Sequence, residues 1–144
     1  MKKTILVTGG TGFIGSHTTV ELQAAGYEVV IIDNLSNSKA EVVEGIEKIS
    51  GVRPAFEQVD CCDLPALEGV FQKYPGIEGI IHFAASKAVG ESVEQPLKYY
   101  ENNLLSLINL LKLMPKYNVK GIIFSSSCTV YGQPDAKDLP VSEQ

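Results

Sequence analysis

A glycine-rich segment near the amino terminus has the residue types and spacing of a phosphate-binding loop. Residues 8–15 are Thr-Gly-Gly-Thr-Gly-Phe-Ile-Gly, so Gly10, Gly12 and Gly15 satisfy G-x-G-x-x-G, and Gly9, Gly12 and Gly15 satisfy a wider glycine spacing. An apolar run precedes the segment and a helical pattern follows it, which is the context that the motif requires. Backbone amides and the dipole of such a helix attract an anion. We expect one glycine to form the turn, one to admit a pyrophosphate, and Gly15 to let the helix pack closely on the sheet.

Asp33 ends the second predicted strand, about 20 residues after the glycine motif, where an acid commonly binds the adenosine ribose. Its carboxylate can accept from a 2′-hydroxyl but would repel a 2′-phosphate, and no arginine follows closely, which favours NAD over NADP. The alternative is an aspartate that only terminates a strand. The polar residues that follow suit the same ribose, although Ser38 is equally suited to capping the next helix.

The third predicted strand ends in Asp60, Cys61, Cys62 and Asp63. A carboxylate at this edge can accept from an adenine amino group, and the next side chain can form a wall of the base pocket. We therefore assign Asp60 to adenine. Asp63, which precedes Leu64 and Pro65, is better explained as a helix N-cap.

Two further segments follow strands at the same edge. Small residues after the fourth strand allow a nucleotide to lie against the backbone, and Lys87 adds a positive charge, unless it is an ordinary solvated lysine. His82, at an apolar strand end, is predicted to be a core residue. After the fifth strand, the hydroxyls of residues 125–127 could hydrogen-bond a substrate, although a serine triplet alone more often forms a turn.

These segments are positioned by short apolar runs that alternate with longer helical patterns. Strands that are apolar on both faces and alternate with helices indicate a parallel sheet covered on both sides. We predict a single domain of α/β class over residues 1–144, a doubly wound Rossmann-type parallel sheet with strand order 3-2-1-4-5. The predicted strands are 4–7, 28–32, 55–59, 79–83 and 121–124, and the predicted helices are 12–25, 39–49, 64–73 and 96–116.

Composition excludes several classes of function. A net charge of −5 argues against nucleic acid or an anionic membrane as the main partner, and no apolar run reaches the length of a membrane span or a secretory signal. Three cysteines do not form a disulfide framework or a zinc motif with the histidines, so we expect structural thiols, no metal site and a cytoplasmic location.

The last predicted helix, 96–116, is apolar around more of its circumference than one sheet can cover. It therefore indicates a subunit interface, or burial within a larger protein as the alternative. Asn102 or Asn103, near its start, is expected to reach the cofactor.

Taken together, the motifs resemble the N-terminal part of the UDP-glucose (UDP-galactose) 4-epimerases of the extended short-chain dehydrogenase/reductase superfamily. The glycine motif marks only the superfamily, whereas Lys-Ala-Val-Gly-Glu-Ser at 87–92 and the serine-rich segment 125–132 are more specific to the epimerases. Two departures are small: Ala85-Ser86 replaces a common Gly-Leu pair, and Cys128 replaces a usual alanine.

The resemblance implies an NAD site, a UDP-hexose substrate and a homodimer formed through helix 96–116. Ser127 matches the active-site serine of the family, which faces both the nicotinamide and the sugar 4-hydroxyl. In the family, NAD⁺ removes hydride from C4 of the hexose and returns it to the other face of a 4-keto sugar. The implied cofactor-binding residues are Gly9, Gly12, Phe13, Ile14, Gly15, Asp33, Asn34, Leu35, Ser36, Asn37, Ser38, Asp60, Cys61, Phe83, Ala84, Ala85, Ser86, Lys87, Asn102 and Ser127.

The family's base is a tyrosine followed four residues later by a lysine, and none of the six tyrosines here has that lysine. We therefore expect an N-terminal portion of an epimerase, without its sugar-binding region and inactive alone. Two alternatives remain open. One is a non-catalytic NAD(H)-binding module, and the other is a nucleotide-sugar dehydratase or decarboxylase.

Overall fold

A computed structural model describes residues 2–142 as five parallel strands interleaved with helices. The strand order is β3-β2-β1-β4-β5, which confirms the predicted doubly wound topology. The elements in chain order are β1 (Thr4–Thr8), α1 (Phe13–Ala24), β2 (Glu28–Asp33), α2 (Val42–Ser50), β3 (Ala55–Gln58), α3 (Leu64–Lys73), β4 (Ile77–His82), α4 (Val89–Glu94), α5 (Pro96–Lys116) and β5 (Gly121–Phe124), followed by short 3₁₀ turns at Cys128–Tyr131 and Ala136–Asp138.

The central strands are apolar on both faces because helices cover both sides of the sheet. In β1, the side chains of Leu6 and Val7 are fully buried on opposite faces. Leu6 packs in a cluster with Leu67 of α3 and Leu110 of α5. Val7 packs in a second cluster with Ile46 of α2 and with residues of α1. The two clusters fix the sheet between two helical layers, and its carboxyl edge collects the ends of all five strands.

Several boundaries differ from the predicted ones. Strand β4 begins at Ile77, two residues early, and α2 begins at Val42 because residues 40–41 form a turn instead of helix. The six-residue helix α4 was not predicted, since it has no buried residue and no side-chain cap that would give a sequence signal. Asp63 does cap α3, accepting from the amide of Ala66 at 3.0 Å.

Helix α5 has two contrasting long faces. Its inner face buries Leu110 and Leu113 together with the polar side chains of Ser106 and Asn109. Its outer face exposes a row of apolar side chains, which we call the outer stripe of α5: Leu97, Tyr100, Leu104, Ile108 and Leu111. The expected apolar excess on this helix is therefore present at the surface of the chain.

Within the described part of the chain, no helix is both long enough and apolar enough to cross a membrane.

Candidate functional site

The glycine loop between β1 and α1 is shaped by Gly9. Gly9 has a φ of +66°, which side-chain-bearing residues rarely adopt. A Cβ at this position would lie 2.8 Å from the amide nitrogen of Ala84, so only glycine allows the segment after β4 to pack against the loop. The Gly9 amide donates to the carbonyl of Ile32 at 2.8 Å, and its carbonyl accepts from the amide of Gly12 at 3.0 Å. The loop is thereby tied to β2 and closed on itself.

Gly10 and Gly15 are required by packing, but not as the sequence suggested. We expected Gly15 to let α1 pack closely on the sheet. The structure shows instead that a Cβ at Gly15 would lie 2.3 Å from the Gly9 carbonyl oxygen, within the loop itself. The glycine that packs on the sheet is Gly10, whose Cβ would lie 2.6 Å from the side chain of Ile31 in β2. Gly15 therefore sets the distance between the first turn of α1 and the loop before it.

The amino terminus of α1 is open. Gly12 is its N-cap residue, and no side chain among residues 2–142 caps the helix. The first amides of a helix have no intrahelical acceptor, so those of Phe13 and Ile14 are available to a ligand. Both side chains are exposed, Phe13 by 78% of its surface. The positive end of the helix dipole, the free amides and the lack of a side-chain cap suit the amino terminus of α1 to binding an anion.

Asp33 connects the end of β2 to this loop. One carboxylate oxygen accepts from the Thr11 amide at 3.2 Å. The other accepts from the Leu35 amide at 2.9 Å and the Ser38 hydroxyl at 3.0 Å. A carboxylate has about four acceptor sites, so one remains for a ligand hydroxyl. Ser38 also bonds the Thr11 hydroxyl at 2.7 Å. It does not cap α2, whose N-cap is Glu41, and the capping alternative for Ser38 is wrong.

Asp60 occupies the corresponding position after β3. Its carboxylate accepts from the Asn34 side chain at 3.1 Å and from the Cys62 amide at 2.8 Å. Burial acts to raise the pKa of Asp60, but these hydrogen bonds outweigh it and hold the pKa below its usual range. The Asn34 bond joins the two acidic strand ends, so the residues assigned to ribose and adenine lie in one continuous surface. The side chains of Ser36 and Asn37 are exposed beside it.

The two cysteines after β3 are neutral thiols. Burial is the main cause that raises the pKa of Cys61 to about 12 and that of Cys62 to about 11. Both are free, as expected for structural thiols. Their backbone carbonyls accept from the fully buried Asn109 amide of α5, at 3.0 Å each. Sequence reasoning missed Asn109 because nothing local distinguishes it from a surface asparagine.

His82, the last residue of β4, is a core histidine, as predicted. Its Nδ1 lies 2.6 Å from the Thr8 hydroxyl, and its Nε2 lies 3.5 Å from the Ser106 hydroxyl. The Thr8 oxygen also accepts from the Ala84 amide at 3.2 Å, and with Nδ1 as the acceptor of the Thr8 hydroxyl, the neutral ring would carry its proton on Nε2. Burial lowers the pKa of His82 to about 4. The ring is therefore neutral at physiological pH and links β1, β4 and α5.

Residues 83–88 cross the carboxyl edge beside the glycine loop. The Phe83 amide donates to the Thr8 carbonyl at 3.1 Å. The Ser86 backbone is held by Asn103, and the Ala88 amide donates to the Tyr99 hydroxyl at 3.1 Å. Ala85 and Lys87 are exposed, and Lys87 forms no ion pair within residues 2–142. A lysine on an anchored backbone with a free ammonium is available to a ligand.

Asn102 lies where two of the connecting segments meet. Its amide group donates to the Asn103 side chain at 2.9 Å, and its backbone carbonyl accepts a weak bond from the Cys62 thiol at 3.5 Å. The residue is half-buried. It therefore lies between the turn after β3 and the segment after β4.

Ser127 lies farther along, beyond β5. The Ser125 amide donates to the His82 carbonyl at 3.1 Å, which continues the pairing of β4 and β5 and carries the serine segment to the same edge. Ser127 precedes the turn Cys128–Tyr131, and its hydroxyl lies 2.8 Å from that of Thr129. The exposed hydroxyl is not held by any other element among residues 2–142.

A separate cavity of about 480 Å³ lies at the opposite edge, near the amino ends of β1, β2 and β3. Three cations border it, but Arg53 is paired with Glu47 and Lys73 with Glu57. The third cation, Lys2, shares the cavity lining with the acidic Glu28. The cavity therefore has little net charge to attract an anion, and none of the strand-end acids or the glycine loop contributes to it.

Comparison with known proteins shows the family of this chain. The profile of the NAD dependent epimerase/dehydratase family matches residues 5–144. The UDP-glucose 4-epimerase uge1 of Schizosaccharomyces pombe is 57% identical over 91% of this chain and 37% of its own length. The UDP-glucose 4-epimerase of Bacillus subtilis is 53% identical over 96% of this chain and 40% of its own length.

A solved structure shows the same relationship. The UDP-glucose 4-epimerase of Bifidobacterium longum, in complex with NAD⁺ and UDP, superposes with a TM-score of 0.92 at 50% identity. The match covers 99% of this chain and 42% of that one, so the chain spans about two fifths of the length of these relatives. With a family profile over nearly all its residues, the chain belongs to the NAD dependent epimerase/dehydratase family.

Proposed function

We propose that this chain binds NAD and acts as the nucleotide-binding part of a UDP-glucose 4-epimerase. The single observation that carries the proposal is the link from Asp33 to the Thr11 amide, beside the uncapped start of α1. It supports the proposal because a carboxylate suited to a ribose hydroxyl lies next to a helix end suited to a pyrophosphate. A 2′-phosphate would meet the Asp33 carboxylate, which supports NAD over NADP.

The residues present fit that cofactor. Gly12 has open space on the side where a Cβ would project, apart from the Gly9 carbonyl oxygen at 3.2 Å. The amides of Phe13 and Ile14 would hold the pyrophosphate, Asp33 the ribose, and Asp60 with Cys61 the adenine. Residues 83–87 and Asn102 would hold the remaining half. When bound there, NAD supplies a hydride acceptor.

Ser127 is proposed to bind the sugar 4-hydroxyl through its exposed Oγ. Its oxygen accepts from the Thr129 amide at 3.3 Å, and when the Thr129 hydroxyl at 2.8 Å acts as a second donor, the Ser127 proton can turn toward a substrate oxygen. The chain has no Tyr-x-x-x-Lys pair to take the proton. We propose that epimerisation of a UDP-hexose also requires such a pair, and that residues 1–144 alone do not catalyse it.

We also propose a cytoplasmic homodimer, formed through the outer stripe of α5. Five large apolar side chains in one row on a surface helix favour an isologous contact between copies. The free thiols of Cys61 and Cys62 suit a reducing compartment.

A titration with reduced dinucleotides tests the cofactor assignment. We expect NADH fluorescence to rise on binding, and NADPH to bind at least about tenfold more weakly because its 2′-phosphate faces Asp33. Asp33→Asn should weaken NADH binding and narrow the difference between NADH and NADPH. Asp63→Asn is the matched control, since it makes the same change at an aspartate outside the proposed site and preserves the N-cap of α3.

Equal affinity for NADH and NADPH, or loss of binding in Asp63→Asn equal to that in Asp33→Asn, would contradict the assignment of Asp33. A chain that is folded by circular dichroism and binds neither dinucleotide would contradict the proposed function itself.

A further inference from the structure

We infer that Asn103 is a positioning residue for the proposed dinucleotide site, which it serves by clamping the segment that carries Lys87. The hydrogen bonds of Asn103 are a feature of the structure. Their effect on dinucleotide binding rests on the proposed function. It assigns to Asn103 a role distinct from that of Asn102, although the sequence treats the two asparagines alike.

The side chain of Asn103 forms two hydrogen bonds with one residue of the crossing segment. Its carbonyl oxygen accepts from the Ser86 amide at 2.8 Å, and its amide group donates to the Ser86 carbonyl at 2.9 Å. This two-point contact reproduces the pairing of a neighbouring strand. It fixes both the position and the orientation of the peptide groups on either side of Ser86.

The clamp is the principal restraint at this point of the segment. Among residues 2–142, the backbones of Ala85, Ser86 and Lys87 have no other hydrogen bond outside their own chain neighbours. The next anchor along the chain is the bond from the Ala88 amide to the Tyr99 hydroxyl. Without Asn103, the segment between Ala84 and Ala88 would be held only at its ends.

The clamp itself is firmly supported. The backbone carbonyl of Asn103 accepts from the Ser106 hydroxyl at 3.3 Å, and the same hydroxyl lies 3.5 Å from Nε2 of His82. The Asn103 oxygen also accepts from Asn102 at 2.9 Å. Three of the side chain's hydrogen-bonding sites are thus used within the protein. The side chain of Asn103 is therefore committed to the segment after β4 and to its neighbour Asn102.

Asn103→Leu tests the clamp without weakening the helix. Leucine has a similar branched shape and a higher helix propensity than asparagine, so the global stability should be retained. We expect hydrogen exchange of residues 84–88 to accelerate about tenfold or more, and NADH affinity to fall about tenfold, as lost hydrogen bonds of this kind predict.

The control variant is Met114→Ala, which removes a core contact from the same helix far from the carboxyl edge. It should lower global stability, but it should not accelerate exchange of residues 84–88 more than exchange in the rest of the chain. The second variant, Asn103→Asp, retains an acceptor for the Ser86 amide but replaces the donor to the Ser86 carbonyl with a second oxygen. It should therefore also accelerate local exchange.

Unchanged exchange of residues 84–88 in Asn103→Leu would overturn the inference, as would faster exchange there with unchanged NADH affinity. If Asn103→Leu accelerates exchange but the wild-type chain itself binds no NADH, the proposed function is contradicted. The hydrogen bonds from Asn103 to Ser86 would then still stand as a feature of the loop.

Discussion

Gly15 shows how strictly a single residue can be determined by its surroundings. Its Cβ would approach the Gly9 carbonyl oxygen to 2.3 Å, closer than any contact that a Cβ would make at the other glycines. Gly45, in the middle of α2, has no neighbouring atom within 4 Å of that position. Two helical glycines therefore have opposite tolerance for one added methyl group.

Gly15→Ala should lower the free energy of unfolding by about 1–3 kcal/mol because backbone atoms of the loop must shift. It should also weaken NADH binding. Gly45→Ala, the control, should raise stability by about 0.5–1 kcal/mol through the entropy of the unfolded chain. Urea unfolding checks both. A Gly15→Ala chain as stable as wild type would show that the loop relaxes freely.

His82 should make stability depend on pH. Burial lowers its folded-state pKa from 6.5 to about 4, so between these values the unfolded chain binds the proton first. Above pH 6.5 the neutral His82 does not reduce the free energy of unfolding. As the pH drops from 6.5 toward 4, its titration lowers that free energy by at most about 1.4 kcal/mol per pH unit.

The difference between variants isolates this effect from the carboxylates. His82→Asn keeps an acceptor for the Thr8 hydroxyl but cannot titrate, so its stability should be lower at pH 7 and less dependent on pH between 6.5 and 4. The exposed His17→Gln is the control and should follow the wild type. Parallel curves for His82→Asn and wild type in urea titrations would contradict the assignment.

The residue roles that sequence reasoning found and those that it missed differ in a physical way. Asp33 and the glycines carry their signal locally, in their order along a strand, turn and helix. The partners of Asn103 and Asn109 lie 17 and about 48 positions away. A small polar residue within a helix has the same local pattern whether it faces water or a distant turn, so only tertiary structure identifies it.

At the scale of elements, α5 divides its work between two faces. The inner face is polar at Asn103, Ser106 and Asn109 and apolar farther along, at Leu110 and Leu113. The outer stripe has no covering element within residues 2–142, and Leu104 exposes 53% of its surface. The sequence predicted the outer face from its excess of leucines, but the polar inner row was not distinguishable from solvent-facing positions.

Leu104→Glu should shift the chain from dimer to monomer in sedimentation analysis, because paired copies would bury like charges at the two-fold contact. NADH binding should be retained, since the outer stripe faces away from the loop-contacting face of α5. Lys112→Glu is the control, an exposed charge reversal on the same helix outside the stripe. A wild-type chain that is monomeric at high micromolar concentration would contradict the proposed dimer.

At the scale of the whole molecule, topology was the most predictable property. Alternation of apolar strands and helices, with right-handed crossovers, leaves few arrangements, and strand order 3-2-1-4-5 was predicted correctly. It brings the ends of all five strands to one edge, which is why scattered motifs could be assigned to one site. The helix α4 was not predictable because it is held by contacts with α5, such as the bond from Tyr99 to Glu91 at 2.7 Å.

The whole chain should bind NADH but show no turnover of UDP-galactose, because it contains no tyrosine with a lysine four residues later. A coupled assay for UDP-glucose checks this. The control is a mixture with a separately produced C-terminal part of a UDP-glucose 4-epimerase, in which turnover should appear. Turnover by the chain alone would contradict the proposal, as would a mixture that stays inactive although both parts bind each other.

Asn103, Ser106 and Asn109 are evenly spaced along α5, and the first and last of them hold two different segments of the chain. Each residue is three positions from the next, so the row advances about 4.5 Å per step and about 9 Å overall. Asn109 holds the turn after β3, and Asn103 holds the segment after β4. Inserting or deleting one residue between them would rotate one contact by about 100° relative to the other. The helix therefore sets the distance between the two halves of the proposed nucleotide site. An insertion or deletion between Asn103 and Asn109 would change that distance, and the site would no longer match the length of the nucleotide.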